Sequence, residues 1–528
     1  MPQFPFTEVK TVRRWTNYSG SLPEREVPLY CTPDVIGVAG EAVPRKLRRH
    51  GAALTAILEH CFRAPASSLR AIGSRWSFSN IVQPELLVVD PANLNAMSRV
   101  AAPWISPGYR QRRPAARFTP MFVQGGARIA SINRRLLESG LALQTSGSGD
   151  GHRIAGCIAT GTHGSALGVG AMHDTLLGLH LLTAPRKSVF VQPSPRVFTP
   201  DVAAWLERET GIPTLDQPDN ELFGAAQVAL GSLGFVQGVV LETVPIYSLS
   251  GRVLSRPGND PAVWSTLEDL DTSRLHPDIA ERPFHFEVVF HPYPRAGKPG
   301  AFVRMLWKGP GGAAVHESPM PSVPALASDT MGLISTLSGA LGGSLATLAL
   351  QELISAQLES RYRPGEVRAE VPGMMFGPTG LPPGSGASTE VIVALEHVRR
   401  TLGLLFGILD AEAVRGRHLL GPVALRFLPE TTSLLGMNQG ATNCFIELPS
   451  VHTHEVLGIY RAFWDALDGA GIPFGCHWGQ MHGMNPERVQ RFYGDRAKRW
   501  MAARDRLLPS PEAKRVFSAP LLREVGLD

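Results

Sequence analysis

The sequence predicts an α+β protein of two or three domains, and three observations lead to that reading. Its 528 residues are 44% hydrophobic and 18% charged, a globular mix with enough chain for more than one core. Residues 144–170 (QTSGSGDGHRIAGCIATGTHGSALGVG) hold eight glycines among serines and threonines, with no large apolar block. Up to about residue 246 the strands are short and run into glycine-containing turns. From 247 onwards long strands are separated by helices, a change of texture that sets a second region apart.

Taken in order, residues 1–50 read as an irregular lead-in containing Trp15-Thr16-Asn17-Tyr18-Ser19-Gly20. A helix is predicted over 46–62, because Leu54, Ile57, Leu58 and Cys61 recur at three- and four-residue steps. A short strand from Leu69 then enters Gly73-Ser74-Arg75-Trp76-Ser77, a turn offering N–H and hydroxyl donors. Strands at 86–90 and 122–124 precede a helix over 129–139, which Gly140 stops. Residues 176–182 and 188–191 pair as strands, and 221–236 reads as a helix entering a strand through Gly231 and Gly234. Pro245 marks a domain boundary. Beyond it, 285–290 and 301–307 are strand-like, 395–409 and 455–467 are helices, and 486–507 is one terminal helix.

A glycine-dense loop brings backbone close to a ligand and leaves N–H groups free to face an anion, of which a polyphosphate is the obvious case. The alternative is a surface loop of no special role. Neither G-x-x-x-x-G-K-[ST] nor a strand–turn–helix G-x-G-x-x-G is present, so the two common nucleotide folds are not predicted.

Another class fits. Ile154-Ala155-Gly156-Cys157-Ile158-Ala159-Thr160-Gly161-Thr162-His163-Gly164-Ser165 resembles the flavin-cradling segment of the vanillyl-alcohol-oxidase/PCMH superfamily. The branch in view holds sugar-lactone oxidases, alditol oxidase and type II cholesterol oxidase. Residues 15–20, 69–79, 122–128, 221–236 and Cys476-His477-Trp478-Gly479-Gln480 match further segments of that family in order. The α+β class itself is what this resemblance implies: a PCMH-type FAD-binding domain of two α/β subdomains lies over 1–246. A cap of antiparallel strands with flanking helices follows over 247–450, with an insertion around 309–383, and 451–528 completes cap and flavin site.

The same resemblance assigns FAD contacts to Gly73, Ser74, Arg75, Trp76 and Ser77, and to Ser146, Gly147, Asp150, Ile154, Gly156, Thr160, Gly161, Thr162, His163 and Gly164. Gly234, Val236 and His477 complete the set. Where many relatives carry a histidine bonded to the flavin, this chain has Trp76. An indole offers no nucleophilic nitrogen for that bond, so non-covalent FAD is expected.

The implied reaction moves a hydride to flavin N5 from a C–H beside a hydroxyl of a small organic substrate, with O₂ or another acceptor reoxidising the flavin. Glu390 is implied as base or anchor, its alternative being a surface glutamate on a strand edge. Arg426 is implied as the cation that stabilises an oxyanion or reduced flavin. His477 would contact flavin or substrate, or be purely structural, and Ser165 falls where relatives place a hydroxyl near the substrate. Two departures stand out: Ala424 replaces a glutamate and Gln480 replaces a lysine. A neutral amide hydrogen-bonds but is no base. These losses point to a less hydroxylated substrate or a proton acceptor such as His163, His291, His477 or His482. They also keep open a non-redox descendant that binds FAD structurally or not at all, and a tailoring flavoenzyme of secondary metabolism with a different outcome.

Other classes recede. Net charge is +5, and the basic clusters at 45–49 and 110–117 lack interleaved aromatics, so they read as solvated faces and no nucleic-acid partner is expected. Five scattered cysteines suit neither a disulfide framework nor a metal site, and Cys157 reads as a small buried thiol. With no apolar leader, a cytoplasmic location is expected. Residues 330–351 lack charge, but their Gly, Ser and Thr favour a buried or interfacial helix over a membrane span. Substrate identity, electron acceptor and oligomeric state are not encoded in these patterns.

Overall fold

The computed structural model describes residues 1–311 and 386–528 except 38–39, 66, 114–118, 148 and 280, together with 352, 354–356, 358, 359 and 362–369. Among these, the strands form three sheets. The first joins β1 (Thr7–Trp15), β2 (Arg25–Pro33), β3 (Leu69–Ala71) and β4 (Leu87–Val89) in the order β1-β2-β4-β3. The second holds β5 (Met97–Arg99), β6 (Thr119–Gln124), β7 (Leu141–Leu143), β8 (Leu176–Ala184), β9 (Lys187–Gln192), β10 (Thr214–Pro218) and β11 (Phe235–Pro245). Its order is β10-β9-β8-β11-β6-β5, with β7 also paired to β11.

The third sheet takes over at Ile246. It contains β12 (Tyr247–Arg256), β13 (His285–Phe290), β14 (Ala301–Pro310), β15 (Gly365–Ala369), β16 (Gly386–Ala394), β17 (Val423–Pro429), β18 (Thr442–Val451) and β19 (Gly475–Cys476). Its order is β15-β12-β14-β13-β17-β18-β16-β19, and every described pair is antiparallel. Helices Val398–Val414 and His454–Gly469 pack together beside it. The amphipathic repeat dictates which residues they bury: Leu402, Leu405 and Leu409 on one, Ile459, Phe463 and Leu467 on the other.

The C-terminal segment stitches the halves together. β19 closes the third sheet, while Trp500 donates to the Val228 carbonyl at 3.1 Å and Arg504 to the Ser232 carbonyl at 3.2 Å. Arg515 donates to the carbonyls of Ala64 and Ser67.

Four sequence expectations change. The lead-in contains two nine-residue strands, β1 and β2. β1 is exposed along most of its length and its pairing slips between Lys10 and Val12 and again before Trp15, so no clean alternation marks it. The terminal helix is two, Pro486–Tyr493 and Asp495–Leu507, broken at Gly494 with φ of +53°. Part of the glycine-rich stretch is itself helical, over Ile154–Thr160, and stops at Gly161 in the left-handed region. The basic cluster at 45–49 is only partly solvated: Leu47 is buried, and Arg49 pairs with Asp34 and Glu41. Residues 330–351 lie outside the described residues, as does most of 309–383; no described helix is long and apolar enough to cross a membrane.

Candidate active site

The N-terminal half presents a groove built largely from backbone. Two adjoining pockets open to solvent share Ala71, Gly73, Arg153, Gly156, Ala159 and Gly231. Three local structures make this wall: the turn leaving β3, the helix Ile154–Thr160, and the turn at 230–234 entering β11. A side chain at Gly156 would meet nothing within 4 Å, so that helix turns a bare face to the groove. Gly231 sits at φ +64°, and its carbonyl accepts from Arg70 Nη1 at 2.9 Å. Arg70 is buried, and its Nη2 has no hydrogen-bond partner; burial lowers the guanidinium to about 10. Arg153 is lowered by burial too, and its Nε is likewise unpartnered. Two desolvated cations on a wall of exposed backbone suit an elongated anion.

Trp76 lines the same groove. Its ring packs on Gly151, where an added Cβ would come within 2.6 Å. The His152 ring stands edge-on at 4.4 Å, and burial holds that imidazole down at about 4.

The cap contributes a different kind of site. Antiparallel register places Ala424, Glu447 and Glu390 in one line across β17, β18 and β16, and Glu287, Arg426 and Phe445 in the next. Side chains two apart share a face, so all of these project together. Arg426 is the hub: Nη1 lies 2.6 Å from Glu447 and 3.5 Å from Glu390, and Nε lies 3.4 Å from Glu287. Arg304 adds a second cation 3.6 Å from Glu287. Burial lowers the Arg426 guanidinium, but the three carboxylates outweigh it and raise it overall.

Glu390 is buried, not at a strand edge. Burial raises its carboxyl, but His163, His477 and Arg426 win and hold it down at about 2. His163 Nε2 is 3.0 Å from Glu390 Oε2, while Nδ1 faces the Gly164 carbonyl at 2.9 Å. A carbonyl only accepts, so Nδ1 carries a proton and the Nε2–Oε2 contact shares a further one. Glu390 Oε1 has no hydrogen-bond partner. His477 Nδ1 accepts from the Gly479 N–H at 3.0 Å, which leaves the proton on Nε2; burial lowers this imidazole to about 4. Ligand atoms of His163, Glu390 and His477 lie within 4.8 Å of one another, a spacing a metal ion could use. The adjacent Arg426 cation and the His477 tautomer both oppose a metal there.

Groove and cap cluster meet at 477–480. Phe78 N–H donates to the Gly479 carbonyl at 2.8 Å, and Ser79 Oγ to the Trp478 carbonyl at 2.6 Å. On the cap side Gln480 Nε2 donates to Glu447 Oε1 at 3.1 Å. Thr160, a groove residue, would lie 3.3 Å from a Cβ on Gly479.

The structure brings some of the sequence-predicted residues together and separates others. Gly73, Ser74, Arg75, Trp76, Ser77, Gly156, Thr160, Gly234 and Val236 line the groove. Gly147 packs against Thr162, and Gly164 against the Ser146 carbonyl, closing the loop behind the helix, while Ile154 is in the core. Burial raises the Asp150 carboxyl. His163 belongs to the cap cluster with Glu390, Arg426, His477 and Gln480. Ser165 is fully engaged as a staple, donating to the Phe286 carbonyl and accepting from Phe427 N–H. His291 contacts Ser355 and Tyr293, and His482 sits beside Trp478. Glu287, Arg304 and Glu447 escaped the sequence reading. A charged residue inside an otherwise apolar strand, as in His285-Phe286-Glu287-Val288 and Cys444-Phe445-Ile446-Glu447, was the available signal.

Comparison with known proteins places this arrangement. Residues 387–525 match the D-arabinono-1,4-lactone oxidase family. L-gulono-1,4-lactone dehydrogenase of Mycobacterium tuberculosis is 24% identical over 465 residues, spanning 87% of this chain and 90% of the relative. A putative D-arabinono-1,4-lactone oxidase of Neurospora crassa is 32% identical over 128 residues, 24% of this chain and 19% of that one. The fold of cholesterol oxidase from Brevibacterium sterolicum superposes with a TM-score of 0.69 at 13% identity, covering 99% of this chain and 98% of that one. These matches fit the vanillyl-alcohol-oxidase/PCMH superfamily. The chain is an FAD-linked oxidoreductase of the kind that works on CH–OH donors, with the PCMH-type fold. The groove suits FAD on its own evidence, since the bare Gly156 face and the unpartnered Arg70 Nη2 would accept a pyrophosphate.

Proposed function

We propose that this flavoenzyme oxidises a secondary alcohol or lactone hydroxyl held between the groove and the cap cluster, with its FAD bound non-covalently. The abutment of the two sites at 477–480 carries the reading. It sets a buried acid–base cluster against the mouth of the groove. Bound FAD supplies the two-electron acceptor. The chain's own residues do the rest. Arg426, 3.5 Å from Glu390, helps keep that carboxylate ionised, and the His477 Nε2–H orients the substrate oxygen by donating to it. Glu390 Oε1 takes the hydroxyl proton. A carboxylate held near 2 is a weak base, but an oxygen whose carbon has lost hydride is a protonated carbonyl and a much stronger acid.

Trp76 supports non-covalent attachment, because no nucleophile occupies its place. Gln480 supports a donor poorer in hydroxyls than a sugar lactone. The test is the visible spectrum of the purified protein, followed by acid precipitation. Flavin colour released wholly to the supernatant is the expected result, whereas colour kept in the pellet would refute non-covalent binding. Anaerobic mixing with L-gulono-1,4-lactone, D-arabinono-1,4-lactone and cholesterol should bleach the flavin with a member of the panel. A flavin that no CH–OH donor reduces would favour the non-redox reading.

A further inference from the structure

We infer that Glu447 is the carboxylate that balances the charge of Arg426, acting as a positioning residue from the strand beside an alanine. The inference rests on the flavoenzyme reading above. Three observations carry it. Glu447 is the register partner of Ala424, and Ala424 lies two residues before Arg426 on the same strand face. The Glu447 carboxylate reaches Arg426 at 2.6 Å, its shortest ion pair in the cluster. Side-chain exposure is 17% for Glu447 but 1% for Glu390 and 2% for Glu287, so Glu447 is the carboxylate at the open side of the cluster.

The same residue fixes Gln480. Because Glu447 Oε1 accepts from Gln480 Nε2, the amide is locked with its Oε1 turned away. That oxygen is buried and without a hydrogen-bond partner, as is Glu390 Oε1. The cluster therefore holds two buried acceptors without hydrogen bonds, of which Glu390 Oε1 lies 3.5 Å from the Arg426 cation, and donors on a substrate would satisfy them. In this chain Glu447 and Gln480 act as a unit. One balances Arg426, and the other, oriented by it, reads the substrate.

Sulfite, a small anion that bleaches flavins by adding to the ring, tests the charge without knowledge of the substrate. Glu447→Gln frees Arg426 of its nearest negative partner while Glu287 and Glu390 remain, and sulfite is expected to bind about tenfold tighter with a matching rise in flavin reduction potential, since removing one negative charge from a partly buried site favours a nearby anion. Glu447→Asp keeps the charge and should stay within about threefold of the parent. The double variant Ala424→Glu/Glu447→Ala returns the carboxylate from the adjacent strand and should also restore the parent values. Unchanged sulfite affinity and potential in a folded, flavin-loaded Glu447→Gln protein would overturn the inference, as would equal shifts in the Gln and Asp variants. A protein that binds no flavin at all would instead overturn the functional reading beneath it. If the double variant does not fold, the Gln and Asp pair still decides.

Discussion

The groove and the cap cluster face the same chemistry but are made from opposite materials. The groove is backbone. Its walls are glycine turns and a short helix with a bare face, and its cations, Arg70 and Arg153, donate mostly to carbonyls. The cap cluster is side chains. Three carboxylates, two guanidiniums and two imidazoles converge on one sheet face, each held by another's charge. Backbone sites depend on nothing protruding, whereas charged sites depend on every partner being present. The two halves should therefore break differently.

The largest expected effect is in the cap. Arg426→Ala would leave Glu287, Glu390 and Glu447 mutually repelling on a buried face. Losing one partner of a buried charge pair costs about 3–5 kcal/mol, and here three carboxylates share the cation. Thermal unfolding should show this as a collapse of the cap transition, or as a protein recoverable only in aggregates. Unaltered unfolding would mean that the cluster is solvated and that its couplings are weak.

The groove should fail in the converse way. Gly156→Leu meets nothing within 4 Å at Cβ, so the chain should fold with the parent's apoprotein stability. Its side chain would occupy the groove, and FAD affinity should drop at least about a hundredfold, or about 2.7 kcal/mol. Fluorescence titration of the apoprotein with FAD reads this directly. A variant that binds FAD normally would displace the cofactor from this groove, and one that unfolds would show that the helix face is packed and not bare.

That contrast also explains what could be read from the sequence. A backbone-built site leaves a local signature, because each turn needs its glycine where the chain bends. Gly73 and Gly234 stand out for that reason, and Gly156 because its helix turns a bare face to the groove. The helix Ile154–Thr160 within the glycine run was hidden because Gly161, not composition, defines its end. A side-chain site spread over five strands leaves no such trace. Glu447 matters because of which residue lies opposite it, and register between strands is not written in either strand alone. The reading of Arg426 needed only its own strand. The compensation for the missing glutamate at 424 needed the neighbouring one. Ser165 shows the reverse failure: motif position suggested a substrate contact, while the fold spends its hydroxyl joining the groove's loop to β13 and β17.

The smallest effect separates the halves by titration and is invisible at neutral pH. His477 is held down at about 4 by burial, against an ordinary 6.5. As pH falls through 6.5 the unfolded chain takes up this proton while the native cap does not. The stability that neutral His477 contributes is therefore complete above about 6.5 and is lost progressively toward pH 4. His152 in the groove and His482 are lowered to about 4 by burial as well, His180 to about 3, and burial also lowers His50, His173, His285 and His418, so His477 supplies one of eight such slopes. His477→Asn keeps an acceptor for the Gly479 N–H where Nδ1 stood, but cannot titrate. Melting temperature followed from pH 7.5 to 4 should fall less steeply in this variant than in the parent, by the share of the slope that one histidine among eight supplies. A parallel pair of curves would show that the native cap admits the proton. The His163–Glu390 contact, with His477 and Arg426 around it, would then be a solvated network and not the dry one that makes Glu390 Oε1 a directed acceptor.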